Sequence, residues 1–264
     1  MKVRRFSVPQ LLAVVLIPAL VVLIAGCSSL GGDQNTFSPA ADTARDQRDL
    51  FLLALWPAIV ILILVSVALI YMLVRFRRRS EDEPPPEQVH GNTRLEIAWT
   101  IAPAALLLGL AVPVIMGIVK LGGPAGEEAF PVTVIGHQWV WEFQYTSLAD
   151  ADGDPLVTIG TPGDPPELHL PVGREIALTL EASDVIHSFW VPKLAGHQDA
   201  VPGRENRLKF TIEEPGTYPG QCAEFCGLLH AEMKVTVIAQ NNADFLAWCE
   251  EELALQPGAE ACRV

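Results

Sequence analysis

Between Cys222 and Met233 the chain reads C-A-E-F-C-G-L-L-H-A-E-M, which sets two thiols, the imidazole of His230 and a thioether within one short stretch. Thiolate, imidazole and thioether select copper over magnesium or calcium, and a weak axial methionine beside cysteine sulfur belongs to copper electron-transfer sites. Two plainer fates compete for Cys222 and Cys226, a disulfide or part of a zinc site. Zinc prefers a closed tetrahedral set of cysteine and histidine and has no use for Met233, while a disulfide explains neither His230 nor Met233. Upstream, D-V-I-H-S-F-W at 184–190 adds His187 in an apolar, strand-like run. Two coppers can share two Cys, two His and one Met if both thiolates bridge them. Each metal then keeps one imidazole and one weak axial ligand, the second axial ligand being a backbone carbonyl, most naturally that of Glu224.

The pattern C-x3-C-x3-H-x2-M after D-V-x-H-S-F resembles subunit II of the haem-copper cytochrome c oxidases, with its dinuclear copper (CuA) centre. The resemblance extends to V-P-K-L-A-G-H-Q-D-A-V-P-G-R-E-N at 191–206, P-G-T-Y-P-G-Q-C-A-E-F-C-G at 215–227 and G-H-Q-W-V-W at 136–141. It covers the chain from about residue 50 to about residue 248. It implies copper ligation by His187, Cys222, Glu224, Cys226, His230 and Met233. It also implies a magnesium or manganese ion on the Glu224 carboxylate, shared with subunit I. Hard cations take such oxygen ligands, and one carboxylate does not complete the site.

Three apolar runs must hold this chemistry at a membrane. The first, Leu11–Ala25, follows Lys2, Arg4 and Arg5 and ends in I-A-G-C at Cys27. Its length suits a signal-peptide core better than a span, so residues 1–26 are expected to be a signal peptide. The small residues before Cys27 resemble a lipoprotein cleavage site, the alternatives being a plain signal peptide or an uncleaved anchor. The runs 50–74 and 97–119 carry no charge and are long enough to cross the hydrocarbon core. They predict a transmembrane hairpin over 50–120, after an extracytoplasmic linker at 27–49. The loop 75–94 opens with Arg75, Arg77, Arg78 and Arg79 and continues into an acidic proline-rich turn at 81–87. By the positive-inside rule it faces the cytoplasm. The expected location is a bacterial plasma membrane, with the copper domain on its outer face.

Residues 121–264 predict one β-rich domain. Val132–Tyr145, Glu167–Pro171, Glu175–Leu180, His187–Val191, Arg207–Ile212 and Lys234–Ala239 are strand-like, separated by Gly, Pro and Asp turns. Asn241–Leu255 has helical spacing. Short strands so punctuated predict a sandwich or barrel, and the resemblance narrows this to a cupredoxin-like Greek-key β-sandwich. The fold class expected is a membrane-anchored all-β protein: two transmembrane helices, then that sandwich.

The whole chain has 31 acidic and 18 basic residues. Residues 121–264 hold 22 Asp and Glu against 7 Lys and Arg, a net −15, which excludes nucleic acid as the natural ligand. Such a charge keeps an exported domain soluble and also steers a basic partner; the resemblance implies cytochrome c. It also gives Trp139 the role of electron acceptor above the copper pair. Core packing is the other fate of Trp139, which alternates with Trp141 across Val140. Glu96 has two readings. Thr93 and Glu96 form T-x-x-E ahead of an apolar run, the signature of a capping box. E-I-A-W-T at 96–100 also resembles the family segment whose glutamate stands at the mouth of a proton channel into subunit I.

His90, His137, His169 and His197 are expected to be surface or structural residues, and Cys249 and Cys262 to be either a disulfide or free thiols. No C-x-x-C-H occurs, so no c-type haem attachment site is present in the sequence. The expectation is the copper-bearing, electron-accepting subunit of a cytochrome c oxidase. It would work with subunit I and other oxidase subunits, with oxygen reduced in another chain. The alternatives are a quinol-oxidase subunit, a nitrous-oxide-reducing enzyme's copper domain and a copper-binding lipoprotein without an oxidase role.

Overall fold

A computed structural model describes residues 31–78, 80, 87–88, 90–149, 154–253 and 262. The expected signal peptide, Cys27 and most of the acidic turn at 81–87 lie outside those residues. The chain forms two compact units, Arg45–Glu127 and Met1–Ala44 with Glu128–Val264.

The first unit is built from two helices, α1 (Asp42–Arg75) and α2 (Thr93–Gly122). At helical rise their 34 and 30 residues run about 51 and 45 Å, more than the roughly 30 Å hydrocarbon core. Trp56, Leu64 and Leu73 on α1 and Leu108, Met116 and Val119 on α2 are exposed within a continuous apolar coat, a surface that lipid satisfies and water does not. Asp42 and Arg75 on α1, and Glu96 and Lys120 on α2, match the sign of each helix end. An ion pair between Lys120 and Asp46 joins the two helices.

Helix α1 starts at Asp42 rather than at Leu50, so the segment expected to be linker is partly helix. Apolarity alone misses that start because A-D-T-A-R-D-Q-R-D is polar. Asp42 Oδ1 accepts from its neighbour Thr43 N at 2.6 Å and from Thr211 N at 2.7 Å. Ala41 pairs with Ile212, and Glu213 N donates to the Ala40 carbonyl at 3.0 Å. Residues 40–44 therefore belong to the second unit, with Ala40, Ala41 and Ala44 buried in it.

That unit is a sandwich of two five-stranded sheets. One runs β3-β2-β1-β5-β8, from β1 (Phe130–His137), β2 (Val140–Ala149), β3 (Pro155–Ile159), β5 (Glu175–Ala182) and β8 (Asn206–Thr211). The other runs β4-β10-β9-β6-β7, from β4 (Glu167–Pro171), β6 (His187–Trp190), β7 (Gln198–Ala200), β9 (Gly216–Cys222) and β10 (Lys234–Gln240). The pairs β1/β5 and β4/β10 are parallel and the rest antiparallel. Strand side chains alternate between faces, and the inward set of each sheet makes one core, with Phe130, Val134 and Phe143 from the first meeting Leu168, Phe189 and Val235 from the second.

The run 132–145, expected as one strand, is a hairpin. Residues 138–139 turn the chain, and the buried positions switch from even numbers (Val132, Val134) to odd ones (Trp141, Phe143, Tyr145). A continuous strand cannot change face in that way. Trp139 and Trp141 consequently do not share a face: Trp141 is in the core, and Trp139 lies in the turn, half-buried. Strand β9 was hidden by Pro219 and two glycines, residues that weaken a strand reading. The remaining expected strands appear within a residue or two.

Helix α3 (Asn242–Glu252) closes the unit. Asn241 caps it, accepting from Ala243 N and Asp244 N at 3.1 Å each. Phe245 and Cys249, one turn apart, face inward, and Trp248 stacks on His169 with ring centres 4.3 Å apart. Cys249 is disulfide-bonded to Cys262.

Candidate metal centre

Strand pairing gathers the soft ligands. Residue His187 opens β6 and Cys222 ends β9, and these strands pair through Phe189 and Cys222. The chain then loops out and returns at β10, where Cys222 N donates to the Met233 carbonyl at 2.9 Å and so closes the loop. Within it His230 begins a short 3-10 turn, His230–Glu232, whose first N–H reaches the Gly227 carbonyl at 3.2 Å.

The ligand atoms converge. Cys222 Sγ lies 3.9 Å from Cys226 Sγ. Cys226 Sγ lies 3.6 Å from His230 Nδ1 and 3.8 Å from Met233 Sδ. His187 Nδ1 is 3.2 Å from Met233 Sδ, and the Glu224 carbonyl is 3.2 Å from Cys222 Sγ. Ligand atoms of His187, Cys222 and Cys226 all fall within 4.8 Å of one another. With metal–ligand bonds of about 2.0–2.3 Å, ligands sharing a metal stand at about such spacings. The donor set, two thiols, two imidazoles, a thioether and one carbonyl, fits a pair of copper ions. Cys222 and Cys226 are free thiols, which removes the disulfide alternative.

Burial and hydrogen bonds divide the two thiols. Burial raises the Cys222 thiol, but hydrogen bonds with His187, the Ser188 and Glu224 backbone and His230 outweigh it and bring it down to about 7. Burial and the neighbouring Cys222 charge push Cys226 up to about 12. The pair readily holds one negative charge and resists a second until cations arrive to offset it. Behind the site, fully buried His187 turns Nε2 to Asp184 Oδ1 at 2.9 Å. That bond leaves Nδ1 facing the sulfurs. Burial works against ionisation of Asp184, yet hydrogen bonds with His187, Val185 N and Gln138 N hold its carboxyl below the ordinary range. For His187, burial opposes the charged form, and the bonds to Cys222 and Asp184 still raise it.

Every expected copper ligand is thus in one cluster. Trp139 touches it without belonging to it: its indole Nε1–H donates to the Cys226 carbonyl at 3.1 Å. Trp141, beneath, sets its ring edge-on to His187 at 5.9 Å and to Phe189 at 5.4 Å. The Glu224 side chain is exposed while its carbonyl turns inward. Glu96 belongs to the helical unit and is exposed near the start of α2. The expected T-x-x-E capping box is not formed. Asn92 caps α2 instead, accepting from Arg94 N at 3.1 Å and Leu95 N at 3.3 Å; asparagine caps better than threonine, and it precedes Thr93.

Two functional residues were not foreseen. Asp184 has no role among the sequence expectations, although a carboxylate three residues before a ligand imidazole is able to orient it. Gln138 had no role; its side chain donates to the Cys226 carbonyl at 2.8 Å.

Comparison with known proteins agrees. The family described as "Cytochrome C oxidase subunit II, periplasmic domain" matches residues 130–240, and "Cytochrome C oxidase subunit II, transmembrane domain" matches residues 32–116. Cytochrome c oxidase subunit 2 of Alkalihalophilus pseudofirmus is 35% identical over 237 residues, covering 88% of this chain; the chain spans 65% of that relative's length. The Bacillus subtilis subunit 2 is 33% identical over 263 residues, covering 94% of this chain and 70% of its own. Among solved structures, the periplasmic domain of subunit II of cytochrome oxidase of Bradyrhizobium japonicum is 27% identical. It covers 49% of this chain and 95% of its own, with a TM-score of 0.42. With both family matches along its length and relatives at this identity, the chain belongs to the cytochrome c oxidase subunit II family.

Proposed function

We propose that the chain is the electron-accepting subunit of a cytochrome c oxidase. The convergence of His187, Cys222, Cys226, His230, Met233 and the Glu224 carbonyl carries this reading. The short contact between His187 and Met233 supports their sharing one copper, which leaves His230 and the Glu224 carbonyl to the other. Held by these residues, with Cys222 and Cys226 as its thiolates, a copper pair would supply a one-electron couple. His187 opens β6, Cys222 ends β9 and the other ligands lie on the loop between β9 and β10; the buried core keeps water from His187 and Met233, and Asp184 orients the His187 imidazole. Little then needs to move when an electron arrives.

Cytochrome c is the proposed donor, steered by the acidic sandwich and docking near Trp139. The hydrogen bond from the indole to the Cys226 carbonyl supports this, since it links a half-buried ring to the backbone of a bridging cysteine. Electrons pass on to haem in subunit I, where oxygen is reduced to water with proton translocation. The arginine cluster after α1 supports a cytoplasmic loop and a copper domain on the outer face. The exposed Glu224 carboxylate is free to help bind magnesium or manganese with subunit I, and Glu96 is the proposed mouth of a proton channel. The quinol-oxidase alternative loses ground because all the copper ligands are present.

Metal analysis and the electron paramagnetic spectrum of the detergent-solubilised chain test the centre. Two coppers per chain and a mixed-valence signal are expected; one copper, or none, overturns the reading.

A further inference from the structure

Gln138 connects the two ligand-bearing segments although it is not itself a ligand. Its side-chain amide donates to the Cys226 carbonyl at 2.8 Å, the same oxygen that accepts the Trp139 indole at 3.1 Å. Its backbone N–H donates to Asp184 Oδ2 at 2.6 Å, and the other oxygen of that carboxylate lies 2.9 Å from His187 Nε2. One arm thus reaches the backbone of a bridging cysteine. The other reaches, through a single carboxylate, the imidazole on the opposite side of the cluster.

The neighbourhood keeps Gln138 where it is. His137 Nδ1 is 2.8 Å from Ser183 Oγ and its Nε2 is 3.0 Å from the Glu142 carboxylate. Ser183 N donates to the Gly136 carbonyl at 3.0 Å. These bonds clamp the β1–β2 turn to the 183–184 turn that carries Asp184. On the other side Gly227, at φ +121°, makes room: a Cβ there would stand 3.1 Å from Gln138 Nε2 and 3.2 Å from the Trp139 ring. A carbonyl held by two N–H donors has its direction fixed, and with it the Cα–Cβ vector that aims the Cys226 sulfur. Side chains that orient ligands in this way tune a metal site without touching the metal.

We propose that Gln138 is a positioning residue for the copper pair, setting Cys226 relative to His187; the proposal rests on the copper reading above. It is tested on the full chain in detergent, loaded with copper. Gln138→Leu keeps the backbone N–H to Asp184 and much of the side-chain bulk but removes the donor. Gln138→Glu keeps the length and turns an acceptor oxygen towards the Cys226 carbonyl. Both variants should still bind two coppers, with a shifted near-infrared mixed-valence absorption. Transfer of copper to a chelator should be about ten- to a hundredfold faster, the range for losing a ligand's supporting partner. The melting temperature of the copper-free chain should not change. If either variant fails to accumulate, the other is read alone. Native absorption and native transfer rates overturn the proposal, as does a copper-free melting temperature that falls in step with faster copper loss, which would make Gln138 a packing residue. An unmutated chain without a mixed-valence absorption overturns the copper reading and this proposal together, whereas a native absorption that the variants leave unmoved overturns this proposal alone.

Discussion

Cys226 is held at both ends: Cys222, His230 and Met233 face its sulfur, and Gln138 and Trp139 hold its carbonyl. Cys226→Ser replaces a soft sulfur, proposed to bridge the metals, with a hard hydroxyl that copper disfavours. The expected outcome is loss of the mixed-valence paramagnetic signal and of one copper per chain; a native signal in the variant would remove Cys226 from the bridge. Trp139 makes a different prediction, because its ring is no ligand. Trp139→Phe deletes the indole donor while leaving a ring, so the copper spectrum should stay close to native and the oxidation of cytochrome c by the assembled enzyme should slow at least about tenfold, a barrier change of about 1.4 kcal/mol. Stopped-flow oxidation of cytochrome c decides it, and a native rate would rule out the electron-accepting role.

At the scale of elements, the start of α2 and the tie at the end of α3 each make a measurable difference. Asn92, not Glu96, satisfies the first amides of α2. Asn92→Ala should therefore cost about 1 kcal/mol of local stability. Glu96→Gln should leave stability near native, because the cap is elsewhere, and slow turnover of the assembled oxidase because an amide cannot titrate. Thermal denaturation and oxygen consumption on the same preparations separate the two effects, and native turnover in Glu96→Gln would leave the residue no proton role. Strand β10 and α3 lead to the Cys249–Cys262 bond, which closes a loop with sequence separation 13. The chain-entropy model assigns a loop of this size about 3 kcal/mol. Alkylation of the copper-free, unreduced chain followed by mass spectrometry should label Cys222 and Cys226 and spare Cys249 and Cys262. Labelling of all four would show that the bond is not made.

For the whole molecule, the relevant quantity is the charge of residues 121–264, with 22 acidic against 7 basic residues and a net −15. The sandwich is acidic, while the loop after α1 opens with a cluster of arginines. A basic donor should be drawn to the acidic sandwich over about a Debye length, near 10 Å at 0.1 M salt and 3 Å at 1 M. The apparent association rate with cytochrome c should accordingly fall steeply as salt rises, while the copper spectrum stays constant. An association rate indifferent to salt would leave the acidity with solubility as its only use.

Local chemistry and short spacing were enough to determine much of this. The proposed copper ligands could be read because five of them are side chains of distinctive softness, four within a dozen residues. The membrane helices could be read because an uncharged run long enough to span lipid has few other uses. Where long-range contacts compete with local pattern, the reading failed. Alternation carried Val132–Tyr145 through a turn that only the bonds from Gln138 and Ser183 to partners some 46 residues away make visible. Helix α1 runs on past its apolar stretch to Asp42, which bonds to Thr211 from a strand 169 residues later. The link from Gln138 to Cys226 lies beyond spacing for the same reason. A ligand's identity resides in its own side chain, but its orientation is set by hydrogen bonds from residues that are neighbours only once the two sheets have packed.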